Sequence, residues 1–283
     1  MKKIILVAET GSDITKEIAK EYDITLVPMH VTFGSVTYDD GTFPSQKIID
    51  YYRETGKLPK TSGSNPGDFD IFNTLHNKYP EAHILYLAYS AVTTVSYQSA
   101  SIMAEGRDFI TFVDTKQVSV GQGAIVVEVA KYIKEHSDAD IDKVVRYANE
   151  LIKGAHMCFI PGNLEFLKAG GRVSNAAYIG ATILNLHPTI EIQDGRLVAT
   201  KKYRGKMSRI CAKLIREYTE NYNLNKDILW CIYTIGLAEE VKEAVRIQIK
   251  ELGFKDVTWV LAHGVITTHG GPGAFGIAGF SKK

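Results

Sequence analysis

The chain predicts an α/β protein of two domains: a Rossmann-like domain with a parallel sheet over residues 1–153, and a second α/β domain with a mixed or largely antiparallel sheet over 154–283. Three observations carry this. In the first half, short β-rich runs alternate with segments of helical periodicity, the pattern of parallel strands joined by crossover helices. Near residue 153 that alternation stops, after a helix beginning about residue 140 and ending at Gly154. Further on, Asp194-Gly195 separates two alternating apolar runs, 189–193 and 196–200, and suits a two-residue type I′ turn between antiparallel strands.

The elements follow in order. The apolar run Ile4-Ile5-Leu6-Val7-Ala8 is too short for a secretory signal and reads as the first buried strand. Strands are expected near 3–8, 24–33, 83–88 and 109–113, with helices near 13–22, 44–55, 67–78, 95–106 and 118–135. Ser12, Ser45 and Thr94 are N-cap types at helix starts. The second half begins with a strand at 155–160, a short helix at 163–168, a Gly-Gly-Arg turn and an almost uncharged helix around 175–185. After the hairpin come helices near 205–222 and 237–251 and strands near 228–234 and 256–261. There are no internal repeats or low-complexity segments.

Composition excludes several functions. With 283 residues, 45% of them apolar, the chain can build substantial cores. The 33 basic and 32 acidic residues give no overall electrostatic case for nucleic acid or an anionic membrane. Charge-poor stretches at 173–190 and 257–281 are broken by Asn, Gly and Pro, so neither reads as a membrane span. Cys158, Cys211 and Cys231 are odd in number and widely spaced, which fits core residues in a reducing cytoplasm.

The segment Thr268-His269-Gly270-Gly271-Pro272-Gly273-Ala274-Phe275-Gly276 sets an imidazole beside pliable backbone whose amides can close on an anion. It also reads as a glycine-rich surface turn. Gly271, Gly273 and Gly276 match the spacing of a dinucleotide fingerprint, but no helix and distant acidic residue follow, so a nicotinamide or flavin site is rejected. There is no P-loop either, and no cofactor is expected; any ATP would come through another protein. His269 lacks the companions of a metal site.

In an open parallel sheet the loops at the strands' carboxyl ends share one crevice. Here they hold Glu9, Thr10 and Ser12; Thr61, Ser62 and Ser64; Ser90, Thr93, Thr94 and Ser96; and Asp114 with Thr115. Hydroxyls beside helix N-termini suit a carboxylate or phosphate, and equally serve as plain caps. Arg172, after two glycines, is either an anion donor or a residue satisfying helix C-terminal carbonyls. Arg204, with Lys201 and Lys202, is either functional or a solvated face.

In order and spacing these segments resemble the DegV family of bacterial fatty-acid-binding proteins, whose members are the binding subunit of a fatty-acid kinase. The resemblance runs through Pro59-Lys60-Thr61-Ser62, Tyr97-Gln98-Ser99-Ala100, Val113-Asp114-Thr115, the stretch 164–174 with Gly170-Gly171-Arg172, Asn185-Leu186-His187-Pro188, and the terminal segment. It implies a DegV-like two-domain architecture with a long-chain fatty acid between the domains, its carboxylate on hydroxyls of the first and its chain mostly in the second. It further implies a carrier that is not itself an enzyme and presents the carboxylate to a separate ATP-dependent kinase.

Candidate carboxylate ligands are therefore Thr61, Ser62, Ser90, Thr94 and His269. Candidate phosphate-binding or kinase-facing residues are Arg172, Arg204 and His269, and the candidate acyl-chain wall is Tyr178, Ile179, Ile183 and Leu184. The chain departs from the family pattern at Glu9-Thr10, at Thr61-Ser62-Gly63-Ser64-Asn65, and at Val95, which stands where the family has glycine and is expected to restrict the backbone where the carboxylate approaches, with different head-group geometry or chain preference. The competing reading is a serine hydrolase using Ser90 or Ser64 with His269 and Asp114, although no G-x-S-x-G elbow accompanies it. With no heptad seam in view, a monomer that meets its kinase transiently is expected.

Overall fold

The computed structural model describes residues 3–174 and 186–282. Four strands, β1 (Ile4–Glu9), β2 (Ile24–Val27), β6 (His83–Ala88) and β7 (Ile110–Asp114), form an all-parallel sheet in the order β2-β1-β6-β7. β1 and β6 lie inside it and are apolar on both faces, as a sheet covered on both sides requires. Their carboxyl ends at Glu9, Ala88 and Asp114 open on one edge.

The expected strand 24–33 is two strands. Pro28 has no N–H for the ladder and Met29 N donates instead to Thr10 Oγ1 at 2.9 Å, so the chain leaves the parallel sheet there. It continues as β3 (His30–Phe33), the centre of a small antiparallel sheet with β4 (Val36–Asp39) and β5 (Lys60–Ser62). Neither β4 nor β5 was expected. The helices are α1 (Lys16–Glu21), α2 (Gln46–Thr55), α3 (Ile71–Lys78), α4 (Ser96–Ala104), α5 (Ser119–Glu135) and α6 (Ile141–Gly154).

Of the three expected caps, Ser45 holds the N-cap position of α2 without a side-chain cap bond, and the other two are corrected. Thr15, not Ser12, caps α1, accepting from Ile18 N at 3.3 Å, while Ser12 Oγ donates to Glu9 O at 2.6 Å. Ser45 Oγ donates to Ala262 O at 2.7 Å, across to the second half of the chain. Val95 occupies the cap position of α4.

The other sheet is built entirely from later residues: β8 (Ala155–Ile160), β9 (Leu186–Gln193), β10 (Arg196–Arg204), β11 (Ile228–Tyr233), β12 (Asp256–Leu261) and β13 (Phe275–Phe280), in the order β10-β9-β8-β13-β11-β12. Only β11 and β12 pair in parallel, which agrees with the expected mixed sheet. The hairpin turn is as expected, with φ of 46° at Asp194 and 79° at Gly195 and Arg196 opposite Gln193. Helices α7 (Leu164–Gly170), α8 (Met207–Asn221), α9 (Glu239–Leu252) and α10 (Gly264–Gly270) complete the described α-helices.

α10 and β13 replace what the glycines suggested was a loop. β13 is glycine-bearing because it is central: a Cβ on Gly276 would lie 2.7 Å from Phe159 Cβ and 2.8 Å from Cys158 O. α5 packs against strands of both large sheets and is buried almost all round, joining them through one hydrophobic cluster. Cys158, Cys211 and Cys231 are free and buried. Among the described residues no helix is long and apolar enough to cross a membrane.

Candidate functional site

Where the open edge of the parallel sheet meets β5, α10 and the six-stranded sheet lies a cavity with about 820 Å³ of empty space, its mouth included. Much of its wall is apolar, with Met29, Val118, Met157, Phe159, Leu197 and Ile232 among the lining residues. Several polar residues cluster: Thr61, Ser62 and Gly63 from β5 and its exit, Thr93 and Thr94 before α4, Arg172, and His269 from α10.

The cluster is held by close approaches. Thr61 Oγ1 lies 2.8 Å from His269 Nε2, joining residues far apart in sequence. A Cβ on Gly63 would sit 2.1 Å from Thr94 Oγ1, so glycine there lets the β5 exit touch the Thr94 loop. The two glycines before Arg172 have separate tasks. A Cβ on Gly170 would lie 2.2 Å from His269 Nδ1, while Gly171 takes the left-handed conformation, φ 62°, that ends α7. Arg172 donates from Nη1 to Gly170 O at 2.7 Å, satisfying a carbonyl at the end of α7, and it also lines the cavity.

Burial, and then the Arg172 charge, push the His269 pKa down to about 4. The imidazole is neutral at pH 7. It donates from one nitrogen without adding charge, and as a base it is weak.

α10 is carried to this place by two buried carboxylates from the first half. Asp13 Oδ1 accepts from His263 N at 2.8 Å and Asp40 Oδ1 from Val265 N at 3.1 Å. Burial raises both their pKa values, with the nearby His263 opposing.

The amides of the 268–276 segment do not form an open anion cradle. Gly271 N donates to Thr267 O at 2.9 Å, Gly273 N to Ile235 O at 2.9 Å and Ala274 N to Thr234 Oγ1 at 2.8 Å. Nor is the segment a surface turn, being buried for most of its length; it contributes the His269 side chain and close packing.

Thr61, Ser62, Thr94, Arg172 and His269 line the cavity, whereas Ser90 and Arg204 do not. Ser90 Oγ donates to Gly195 O at 2.7 Å, pinning the hairpin turn to the first half of the chain. Arg204 is exposed at the end of β10, away from the cluster. Tyr178, Ile179, Ile183 and Leu184 lie outside the described residues.

The hydrolase constellation is not assembled. Ser64 Oγ donates to Pro28 O at 2.7 Å and Ser90 is committed to Gly195, while Asp114 Oδ1 accepts from Lys116 N at 2.9 Å and Ala91 N at 3.3 Å. His269 Nε2 meets Thr61 instead. Val95 is 60% exposed and does not line the cavity.

Two lining residues carry polar groups that the sequence reading passed over. Tyr89 is buried and lines the cavity, and burial raises the pKa of its phenol. Ser119 takes φ 47° and donates from Oγ to Asp13 Oδ2 at 2.6 Å. Glu9 stands behind them, fully buried, accepting from Tyr86 Oη, from Gln122 Nε2 at 2.7 Å and from Tyr89 N at 3.0 Å, with burial raising its pKa. A buried acid followed by Thr10 at the first strand's end was the available signal.

Comparison with known proteins agrees with this architecture. A family profile described as uncharacterised protein, DegV family, matches residues 3–282. The chain belongs to the DegV family. A DegV domain-containing protein of Deinococcus radiodurans is 27% identical over 281 residues, covering 97% of each chain. Among solved structures, a DegV family protein from Thermus thermophilus described for its fatty-acid binding is 26% identical, with a TM-score of 0.88 over 99% of this chain and 100% of that one. A stearic-acid-binding protein from Eubacterium ventriosum shares the fold, with a TM-score of 0.85 at 23% identity over 100% of this chain and 99% of the other.

Proposed function

We propose that this DegV family chain binds a long-chain fatty acid in the cavity and presents its carboxylate to a separate ATP-dependent kinase, which forms the acyl phosphate. The chain itself is a carrier without catalysis of its own. The observation that carries the reading is the composition of the cavity: the polar cluster of Thr61, Ser62, Thr94 and His269 is set in a wall that is otherwise largely apolar. Fatty-acid binding by the Thermus thermophilus relative supports it.

Magnitudes agree with a division of labour. Burying an acyl chain contributes up to about 0.8 kcal/mol per CH₂ before ordering costs, whereas one hydrogen bond to a charged group nets about 1.5 to 3 kcal/mol. The tail supplies affinity and the head sets orientation. A His269 that is neutral adds a donor without fixing a full charge in the site, so a ligand can leave again. In this reading residues 1–153 supply most of the head-group hydroxyls and 154–283 much of the apolar wall, and the protein works as a cytoplasmic monomer that meets its kinase transiently. A stable homodimer by light scattering at micromolar concentration contradicts that last point.

The test is mass spectrometry of lipid extracted from the purified protein. A fatty acid in roughly one-to-one amount is the expected result, and ester turnover without retained lipid would overturn the reading.

A further inference from the structure

α10 carries His269 on its last turn, about 9 Å along the helix from His263. Its first turn is fastened to the first half of the chain by two carboxylates, Asp13 on His263 N and Asp40 on Val265 N. Both acids are buried, at 0% and 2% exposure, and among the described residues neither pairs with a lysine or arginine. Asp13 Oδ2 accepts from Ser119 Oγ of α5, and Oδ1 lies 4.0 Å from Nδ1 of the partly exposed His263 ring. Tyr89, which also feels Glu9 and Arg172, stands within electrostatic reach of Asp13. Asp40 can approach because residue 264 is glycine, whose Cβ would lie 3.0 Å from Asp40 Oδ1, while Asp40 Oδ2 meets no donor among the described residues. Glu17 of α1 adds a further negative charge near the His263 ring.

Two buried carboxylates beside one imidazole carry uncompensated negative charge once all three have lost their protons. Burial pushes the Asp13 pKa up to about 7, with Asp40 adding to the rise and His263 opposing it. Its ordinary value is 3.8, so the folded chain holds an extra proton from about pH 4 to 7, and ionised Asp13 weighs against the joint as pH rises through 7. Protonation breaks no bond. Oδ1 still accepts from His263 N, and a proton on Oδ2 donates to Ser119 Oγ, whose own hydrogen then turns away.

We propose that Asp13 and Asp40 are positioning residues for His269, and that they hold α10 in place only while their cluster with His263 keeps a proton. When that proton is lost, repulsion between the carboxylates loosens the first turn of α10, the Thr61–His269 contact opens, and a ligand is released faster. Asp13 also holds Ser119, a residue of the cavity wall, so the same proton governs two sides of the cavity. The effect on a bound acid rests on the fatty-acid reading above; the hold on α10 does not.

Asp13→Asn is a fixed copy of the protonated state. Its Oδ1 accepts from His263 N, its Nδ2 donates to Ser119 Oγ, and asparagine tolerates the left-handed φ of 56° at this position. Hydrogen exchange of the ligand-free protein is followed at the Thr267 and Gly271 amides, whose bonds run along α10, with amides of α8 as the reference. From about pH 6 to 8.5 the ionised fraction of a group titrating near 7 rises from about a tenth to nearly all. Exchange in α10, corrected for its intrinsic pH dependence, is therefore expected to quicken about tenfold relative to α8 in the parent and to stay level in Asp13→Asn. Level exchange in the parent, an equal change in α8, or a variant that follows the parent overturns the proposal. Stopped-flow release of palmitate is the second arm, expected to quicken several-fold over the same range in the parent and less than twofold in the variant, any titration of the acid itself being common to both. Release that ignores pH while α10 exchange responds overturns the positioning role toward His269. Exchange as expected in a parent that binds no palmitate supports the hold on α10 and sinks the fatty-acid reading alone.

Discussion

Thr61→Val isolates the head-group hydroxyl. Valine keeps the branched shape that suits β5, so the strand and its pairing with β3 are retained. What is lost is one oxygen, 2.8 Å from His269 Nε2. With its pKa near 4 the imidazole is neutral at pH 7; with its proton on Nε2 it donates to Thr61 Oγ1, and the threonine proton is left for the ligand's carboxylate. Removing a hydrogen bond to a charged group costs about 1.5 to 3 kcal/mol, roughly 10- to 150-fold in Kd. The imidazole N–H left without its partner is a cost shared by free and loaded protein, so it appears in Tm and not in affinity. Titration with palmitate and with hexadecanol separates the two effects. Palmitate binding should fall by one to two orders of magnitude, and hexadecanol, which carries no charge, by much less. Palmitate affinity within twofold of the parent, or an equal loss for acid and alcohol, refutes the assignment of Thr61 to the carboxylate.

Thr94→Val should likewise weaken palmitate more than hexadecanol, and an unchanged double variant with Thr61→Val would remove both residues from the site. Ser90→Ala should lower stability by about 1 kcal/mol through loss of its bond to Gly195 O, seen by chemical denaturation, with palmitate affinity unchanged; weaker binding at parental stability would return Ser90 to the site. Gly162→Ala should cost about 1 to 3 kcal/mol or more, because its Cβ would sit 1.9 Å from the Pro272 carbonyl oxygen, which is backbone and cannot swing away; a parental denaturation midpoint contradicts the packing described. His269 has a folded pKa below its ordinary 6.5, so the unfolded chain binds more protons between pH 6.5 and 4 and stability falls as pH drops through that window. His269→Gln should remove that slope from the curve of ligand-free stability against pH, and a variant curve parallel to the parent's would show His269 is not depressed. Arg172→Ala should keep palmitate affinity within about tenfold, roughly 1.4 kcal/mol, and lose most acyl-phosphate formation with kinase and ATP; a variant phosphorylated like the parent makes Arg172 purely a cap of α7.

What could be read from the sequence follows physical lines. The parallel strands β1 and β6 were legible because burial on both faces leaves an uninterrupted apolar run, and the hairpin because Asp194 and Gly195 both tolerate positive φ. β13 and α10 were not, since their glycines answer to neighbours distant in sequence, Gly276 to Phe159 and Gly264 to Phe43. β5 was hidden by its brevity, and it carries Thr61. The hydroxyl of Thr94 could be picked out because loops at strand ends share one crevice, whereas Thr61 and Ser62, taken for the same kind of loop, sit in β5 itself. Ser90, in the same kind of loop, turned to Gly195, a partner set by the packing of a hairpin a hundred residues on. The apolar wall of Met157, Phe159, Leu197 and Ile232 was invisible for a related reason, because inward-facing strand residues look alike whether they meet a core or a cavity.

The central claim is that one end of the cavity holds a carboxylate and the rest an acyl chain. A crystal structure with a fatty acid brominated at its terminal carbon tests both ends at once, since the bromine's anomalous signal locates the tail independently of the density for the head. The account predicts a carboxylate oxygen within hydrogen-bonding distance of Thr61 Oγ1, beside His269 and Thr94, with the bromine away from that cluster against the apolar wall. Bromine at the Thr61–His269 cluster, or a ligand bound outside this cavity, would contradict it.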